Sequence, residues 1–414
     1  MEKANHIYSL SILALPIIIL DIAILPVSSF FSLPISMFIV GYYTLLYHRK
    51  RVFDNQIAIF IFIICLITST FLSILFKDNT TYISNIVSNA SINVQKEDIK
   101  RLIYLLLSIC VYRVVAVHYR QYEVQLNNII KITLIIICLV FLIMGVIFLV
   151  DVSFFYQLKG IFFNSDVNMT SNEVLINAGY IKRYNFIFLD PNNACYFILI
   201  IIIFLYENYN LKLRTKSILW ITAISALFLT QSLGGVFSLL IYIIAKNIKA
   251  VRGKISAKYI MKVFIICVLF LLFVLINKLD SNQMLNMLFQ STPVQRWNNN
   301  SMDGRIDIYL FLLNDIPPLI GNGYTLVRDG YYFYPHSDHL RILYSYGIIA
   351  YITLLIMILK RKYFSNNYLF LIPAFIAFSI NSLIDEPRLL YTFIILFAIA
   401  NTKNKYSKYY LKNL

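Results

Sequence analysis

The sequence predicts an all-α, polytopic helical membrane protein of about twelve transmembrane helices, with both termini cytoplasmic. Three observations predict it. Of the 414 residues, 59% are hydrophobic and only 14% are charged, against about 25% charged in a typical soluble chain. Mean hydropathy is +0.72. Apolar runs recur along the whole length, many of them near the ~20 residues that cross a ~30 Å hydrocarbon layer at ~1.5 Å per residue. A β-barrel would instead show alternating segments of about ten residues. The net charge of +16 falls in short clusters between the apolar runs, so it reads as a topology signal and does not point to nucleic acid.

The elements follow in order. Span 1 (7–25) contains Pro16 and Asp21, has no small-residue cleavage site after it, and is expected to remain as a membrane span. A turn at 26–29 leads to span 2 (30–47), which ends at His48-Arg49-Lys50-Arg51, a cytoplasmic marker. Span 3 (56–76) and span 4 (102–117) flank a polar loop, 77–101. Span 5 (128–150) leads to a long outer loop, 151–192, and span 6 (193–206) returns to Lys212, Arg214 and Lys216. Spans 7 (217–230) and 8 (235–245) form a short pair that either crosses or leaves a pit on one face. Span 9 (263–276) opens into the main outer loop, 277–339. Span 10 (340–359) ends at Lys360-Arg361-Lys362; span 11 (367–384), the turn at 385–388 and span 12 (389–401) complete a single integral membrane domain. With both termini inside, the inner segments hold the Lys and Arg excess and the outer loops hold most of the Asp and Glu. The five cysteines all fall in apolar segments without a CxxC pair, the pattern of small buried hydrophobes.

Functional residues are expected in the outer loops, because polar groups beside a membrane are costly unless they serve structure or function. Arg183, just before an outer helix end, suits a lipid-linked phosphate, which a guanidinium grips with two parallel hydrogen bonds; the plainer role is an arginine reaching to headgroups. Asp190-Pro191-Asn192 reads as a helix start, with Asp190 as cap and Pro191 in the first turn. In the main loop, Arg305 follows Gly304 at the head of an amphipathic stretch, 306–313, and is either an anion contact or a surface partner of Asp303 or Asp307. Arg296 and Arg328 are weaker candidates of the same kind, and Gly321-Asn322-Gly323 reads as a plain turn before a phosphate cradle. His336 and His339 could act as general bases near neutral pH, could stabilise a leaving anion when protonated, or could sit at an interfacial helix end without a chemical role. A metal would need a third ligand that this spacing does not offer. The 31 Tyr and 32 Phe fit an interfacial aromatic belt, and those near the main loop could stack on sugar rings.

Gly304-Arg305, the 317–323 turn Pro-Pro-Leu-Ile-Gly-Asn-Gly, His336-Ser337-Asp338-His339-Leu340 and Gly347, eleven residues after His336, resemble the signature of O-antigen polymerases and ligases. Arg183 and the 190–192 segment resemble that family's earlier outer loop, so the resemblance covers 180–360. One departure is Ser232-Leu233-Gly234-Gly235, where the family often has Ser-Arg-Gly-Gly; the missing arginine is dispensable here or its load falls on Arg183 and Arg305. The resemblance implies a metal-independent glycosyltransferase without a cofactor, at the periplasmic face of a bacterial inner membrane. Its substrate would be an oligosaccharide on undecaprenyl pyrophosphate, and membrane lipid and a chain-length regulator would be its partners. Arg183, Arg305 and Arg341 would contact the pyrophosphate. His336, with His339 beside it, would be the base or a further pyrophosphate contact. A polymerase is expected before a ligase acting on lipid A core, because the aromatic-rich, weakly patterned spans resemble the variable polymerase branch. A flippase would place charge near mid-membrane, whereas these spans are nearly free of it. The first outer loop also lacks the Asp-x-Asp pair of metal-dependent transferases of similar topology.

Overall fold

The computed structural model describes residues 2–24, 34–47, 50, 56–77, 80–83, 91–162, 183–188, 190–250, 312, 315–328, 331–333, 335, 337–358 and 366–410. In chain order the helices are α1 (Glu2–Ala23), α2 (Met37–Leu46), α3 (Gln56–Phe76), α4 (Val94–Gln121), α5 (Glu123–Val150), α6 (Val152–Phe162), α7 (Pro191–Asn208), α8 (Leu213–Thr230), α9 (Leu233–Ala250), α10 (Asp338–Ser345), α11 (Gly347–Ile358), α12 (Leu371–Ile380) and α13 (Pro387–Tyr410). Five of them, α3, α4, α5, α7 and α8, are long and apolar enough to cross a membrane, and shorter apolar stretches lie in α1, α2, α9, α11 and α12.

The faces of these helices are arranged for lipid. Along α3, Ile57, Phe60, Ile64, Ile67, Phe71 and Leu75 are exposed, while Ser69, Thr70 and Ser73 are buried with Ala58, Phe62, Cys65 and Leu66. Large apolar side chains therefore point outward and small polar ones pack inward, the reverse of a water-soluble helix. On α5, Ile132, Ile136, Leu139, Ile143 and Val146 form the same outward stripe.

Helix α7 is the centre of the body. Asp190 caps it by accepting the Asn192 N–H at 2.8 Å, and Pro191 occupies the first turn. Every residue from Ala194 to Leu205 is buried, as expected of a helix apolar on all sides. Helices α5, α8, α9, α12 and α13 pack around it, and α13 runs along α4.

Hydrogen bonds between elements divide the body into two ends. At one end, Lys77 reaches Thr325 O, Arg101 reaches Asp385, Lys159 reaches Phe188 O, Arg183 reaches Thr230 O and Asn381 reaches Asn193. At the other, Arg113 reaches Tyr47 O, Asn208 reaches Asn367 O, Lys246 reaches Glu207 and Lys403 reaches Asn208 O. The loops after α3, α5, α8 and α12 thus share one end, which is the alternation expected of successive spans.

The structure departs from the expected elements in four places. Helix α4 begins at Val94, where Asn93 accepts the Lys96 N–H at 2.9 Å, so the last third of the expected 77–101 loop is helical. Its 28 residues span about 42 Å, longer than the hydrocarbon layer. Second, a four-stranded sheet joins the expected all-α architecture at the loop-rich end. β1 (Thr80–Ile83) pairs antiparallel with β2 (Ser91–Asn93) and parallel with β4 (Tyr331–Phe333), which pairs antiparallel with β3 (Leu326–Arg328). Third, α8 and α9 are 18 residues each, longer than the short pair expected, and Gly234 and Gly235 let α9 close on Tyr196 and Cys195 of α7. Fourth, the expected span 10 is broken into α10 and α11. Span 9 lies outside the described residues.

The break has a steric cause. Gly347 has φ +92°, and a Cβ there would meet Leu319 O at 2.5 Å and Gly321 N at 2.8 Å. The Ile348 N–H donates to Pro318 O at 2.9 Å, pinning the 317–323 turn onto the α10–α11 junction. Gly347→Ala is therefore expected to lower stability by about 1–3 kcal/mol, read as a lower melting temperature in detergent. Gly41→Ala, where a Cβ meets nothing within 4 Å, is expected to leave it unchanged or raise it.

Candidate functional site

The loop-rich end is held by carboxylates that the apolar helices deliver to one place. Asp98 sits just over one turn into α4 with its side chain fully buried. It accepts the Thr325 N–H at 2.6 Å and the Ser73 hydroxyl, with Lys77 Nζ at 3.6 Å. Lys77 Nζ also donates to Thr325 O at 2.6 Å, so a single loop residue is gripped through both backbone polar groups. Gly323, at φ +82°, passes so close to Asp98 and Ser73 that a Cβ would overlap both. Burial lowers the Lys77 ammonium pKa, and the Asp98 charge opposes that shift.

Asp385, in the turn between α12 and α13, ties three further elements together. Its Oδ2 meets Arg341 Nη1 at 2.7 Å and its Oδ1 meets Arg101 Nη2 at 3.2 Å, while Arg101 Nη1 donates to its backbone O at 2.9 Å. The Tyr324 hydroxyl lies against both Asp385 and Arg341. Its ring centroid lies 5.3 Å from the Arg101 guanidinium carbon and 4.6 Å from that of Arg341. Burial alone would raise the Asp385 carboxyl; Arg341 and Arg101 overcome it and hold the group well below the usual carboxylate range. Glu97 lies 3.6 Å from Arg101, so the cluster balances its own charge.

Asp338, the first residue of α10, faces the same turn. It accepts the Ser382 hydroxyl at 2.9 Å and the Leu383 and Ile384 N–H groups at 2.6 and 3.1 Å. Burial and the charge of Asp385 push its carboxyl up to about 7, against the pull of Arg341 and the two N–H donors. Burial also pushes Glu386 up to about 7, with Arg388, Arg101 and Lys159 opposing. Lys159 of α6, donating to Phe188 O at 2.5 Å, is lowered to about 7 by its burial despite the Glu386 charge. Three groups able to exchange protons near neutral pH therefore lie at this end.

The residues singled out in the sequence fall into three groups. Arg305 and His336 lie outside the described residues, as does Arg296. Arg183 and Arg341 are buried and committed to protein acceptors. Arg183 Nε donates to Thr230 O at 2.7 Å and Nη2 to Gln231 O and Asn192 Oδ1 at 3.1 and 3.2 Å, closing the α8–α9 turn, where Gln231 is left-handed. Arg341 serves Asp385. Both arginines thus brace the loops, where the sequence suggested a pyrophosphate contact. His339 packs in an aromatic cage, with Nδ1 3.1 Å from the Tyr351 hydroxyl and ring centroids of Phe375 and Phe378 at 5.2 and 4.5 Å. Burial lowers its pKa and so favours the neutral ring. Gly321 and Gly323 are sites of close packing, which accounts for the GxG turn without a phosphate.

Asp98, Arg101, Tyr324, Asp338 and Asp385 were not singled out for function. The signal available was their place: polar and charged residues close to the ends of apolar segments, where an unpaired charge is expensive. Among the described residues, no three His, Cys, Asp or Glu side chains gather as a metal site. Comparison of the chain with protein-family models, with curated proteins and with solved structures gives no match.

Removing the carboxylate should be costly, because it leaves two buried guanidinium groups facing each other. Asp385→Asn is expected to destabilise by about 3–5 kcal/mol. Asp385→Asn combined with Arg341→Met should cost clearly less than the sum of the single changes, a coupling that a double-mutant cycle in detergent measures.

The pH response has a definite sign. Asp338 and Glu386 bind protons more tightly when folded, with pKa values of about 7, than in an unfolded chain at about 4. Their stabilisation is complete below about 4 and is lost as pH rises through about 7. Asp385, lowered on folding, contributes stability above about 4 that is lost only as pH falls further. The melting temperature should therefore fall between pH 5 and 7, and Asp338→Asn should reduce that slope.

Proposed function

We propose that this chain is a multi-pass glycosyltransferase of a bacterial cytoplasmic membrane, with both termini cytoplasmic and about twelve spans. In this reading it polymerises undecaprenyl-pyrophosphate-linked oligosaccharide repeat units at the periplasmic face. One observation carries the reading. The described parts of the segments that resemble O-antigen polymerases and ligases, at 183–188, 190–193, 317–323 and 337–347, meet at the same end of the helical body, around Asp98, Asp338 and Asp385. Placing that end outward also puts the basic end, with Lys50, Arg113, Arg120, Lys212, Arg214 and Lys216, on the cytoplasmic side, as the orientation rule requires.

The proposed reaction needs no metal, since lipid pyrophosphate is already a good leaving group. An acceptor-sugar hydroxyl attacks the anomeric carbon, and the bond from that carbon to the pyrophosphate oxygen breaks. His336 takes the hydroxyl proton. The electron pair leaves with undecaprenyl pyrophosphate, whose developing charge Arg305 offsets. Arg183 and Arg341 keep the framing loops in place, and neutral His339 anchors α10 against α11 and α12.

The test is surface-polysaccharide banding in a deletion strain carrying wild type, Arg305→Ala or His336→Ala, with membrane levels matched. The expected result is lipid A core bearing a single repeat in the deletion, a restored ladder with wild type, and none with either variant. Long chains retained on undecaprenyl pyrophosphate would instead identify a ligase, and repeat units trapped on the cytoplasmic face would identify a transporter.

A further inference from the structure

A small crevice opens between α7, α8 and α9 at the basic end. It is shallow and partly open, far too small to take in a whole small molecule. Buried Ile203, Leu219 and Ala223 form its floor, and half-exposed Tyr206, Trp220 and Leu239 form its lips. The surface on either side is apolar and exposed: Ile221, Ile224 and Phe228 on α8, and Phe237, Ile241 and Ile244 on α9. The crevice therefore opens toward hydrocarbon rather than water.

Two cations share one lip. Lys246 Nζ lies 4.1 Å and Lys216 Nζ 5.5 Å from the centroid of the Tyr206 ring. The Tyr206 ring also meets Trp220 edge-on at 6.3 Å. Glu207 is bonded to Lys246 at 2.6 Å and to the Tyr242 hydroxyl at 2.5 Å, so its carboxylate is used. Among the described residues, Lys216 has no carboxylate within ion-pair distance. Exposed Lys212 and Arg214 precede it on the same helix end. An apolar slot ending in aromatic rings at headgroup level, with a surplus of positive charge directly above, has the chemistry of one particular occupant.

We propose that this crevice is a binding site for an anionic phospholipid, with an acyl segment laid across its lips at Trp220 and Leu239 and the headgroup phosphate at Lys216 and Lys246. The site holds whichever reaction the opposite end performs, because it uses none of the residues placed there. Lys216 supplies the preference for negative charge. Lys246, neutralised by Glu207, supplies hydrogen bonds and fixes the Tyr206 ring.

The chain has two tryptophans, so a Trp297→Phe background leaves Trp220 as the only indole reporter in the slot. The full-length protein is reconstituted with phosphatidylglycerol or phosphatidylcholine brominated on the upper acyl chain, and Trp220 quenching is followed against lipid mole fraction. Half-quenching is expected at a roughly fivefold lower mole fraction of the anionic lipid, the effect of about one lysine near an anionic surface. Lys216→Glu, a change at a partly exposed residue, is expected to abolish that preference. Leu239→Trp, in a Trp220→Phe background, should report the same preference from the opposite lip. Equal quenching by the two lipids, or a preference that survives Lys216→Glu, would overturn the assignment.

Discussion

The grip of Asp385 on Arg101 and Arg341 is the interaction on which the rest of this structure depends. Each partner comes from a different part of the chain: Arg101 from α4, Arg341 from α10 and Asp385 from the turn before α13. None of the three could be buried alone, since an isolated charge at the edge of a hydrocarbon layer costs several kcal/mol. Their mutual neutralisation, with the Tyr324 ring between the guanidinium groups, lets three helices converge at one point. Asp98 and Asp338 extend the same principle, one holding the Thr325 backbone and the other capping the 382–384 turn.

This arrangement separates two tasks that the sequence alone places on the same residues. Arg183 and Arg341 look like anion-binding side chains, but in the fold they satisfy carbonyl and carboxylate acceptors inside the protein. These contacts are structural: Arg183 closes the turn between α8 and α9, and Arg341 holds the turn before α13. The near-neutral carboxyls of Asp338 and Glu386 make the frame responsive to pH.

Much of the helical plan was legible in the sequence. Span 3 at 56–76 coincides with α3, and the Asp190-Pro191 start of α7 follows directly from capping preference and proline geometry. These features are local, so one sequence contains them. The break at Gly347 was not legible, because the need for φ +92° arises from Leu319 and Gly321, more than twenty residues away. The sheet was missed for a related reason: β1 is four residues long and pairs with β4 far along the chain, so no hydrophobic alternation announces it. The Arg101–Asp385 contact spans 284 positions, and no spacing rule connects residues so far apart. In the candidate site, Asp98, Asp338 and Asp385 organise contacts between segments far apart in the chain, and no local pattern in the sequence marks them.

The most direct test of the account is the sidedness of the two ends. In a background with all five cysteines replaced, Asn322→Cys marks the braced end and Gln121→Cys the basic end; both parent residues are exposed. Intact cells are treated with a membrane-impermeant maleimide whose access to the periplasm is confirmed by a control protein. The account predicts labelling at position 322 in intact cells and at position 121 only after lysis. The reverse pattern would place the braced end in the cytoplasm and contradict a site that works on exported, lipid-linked sugar.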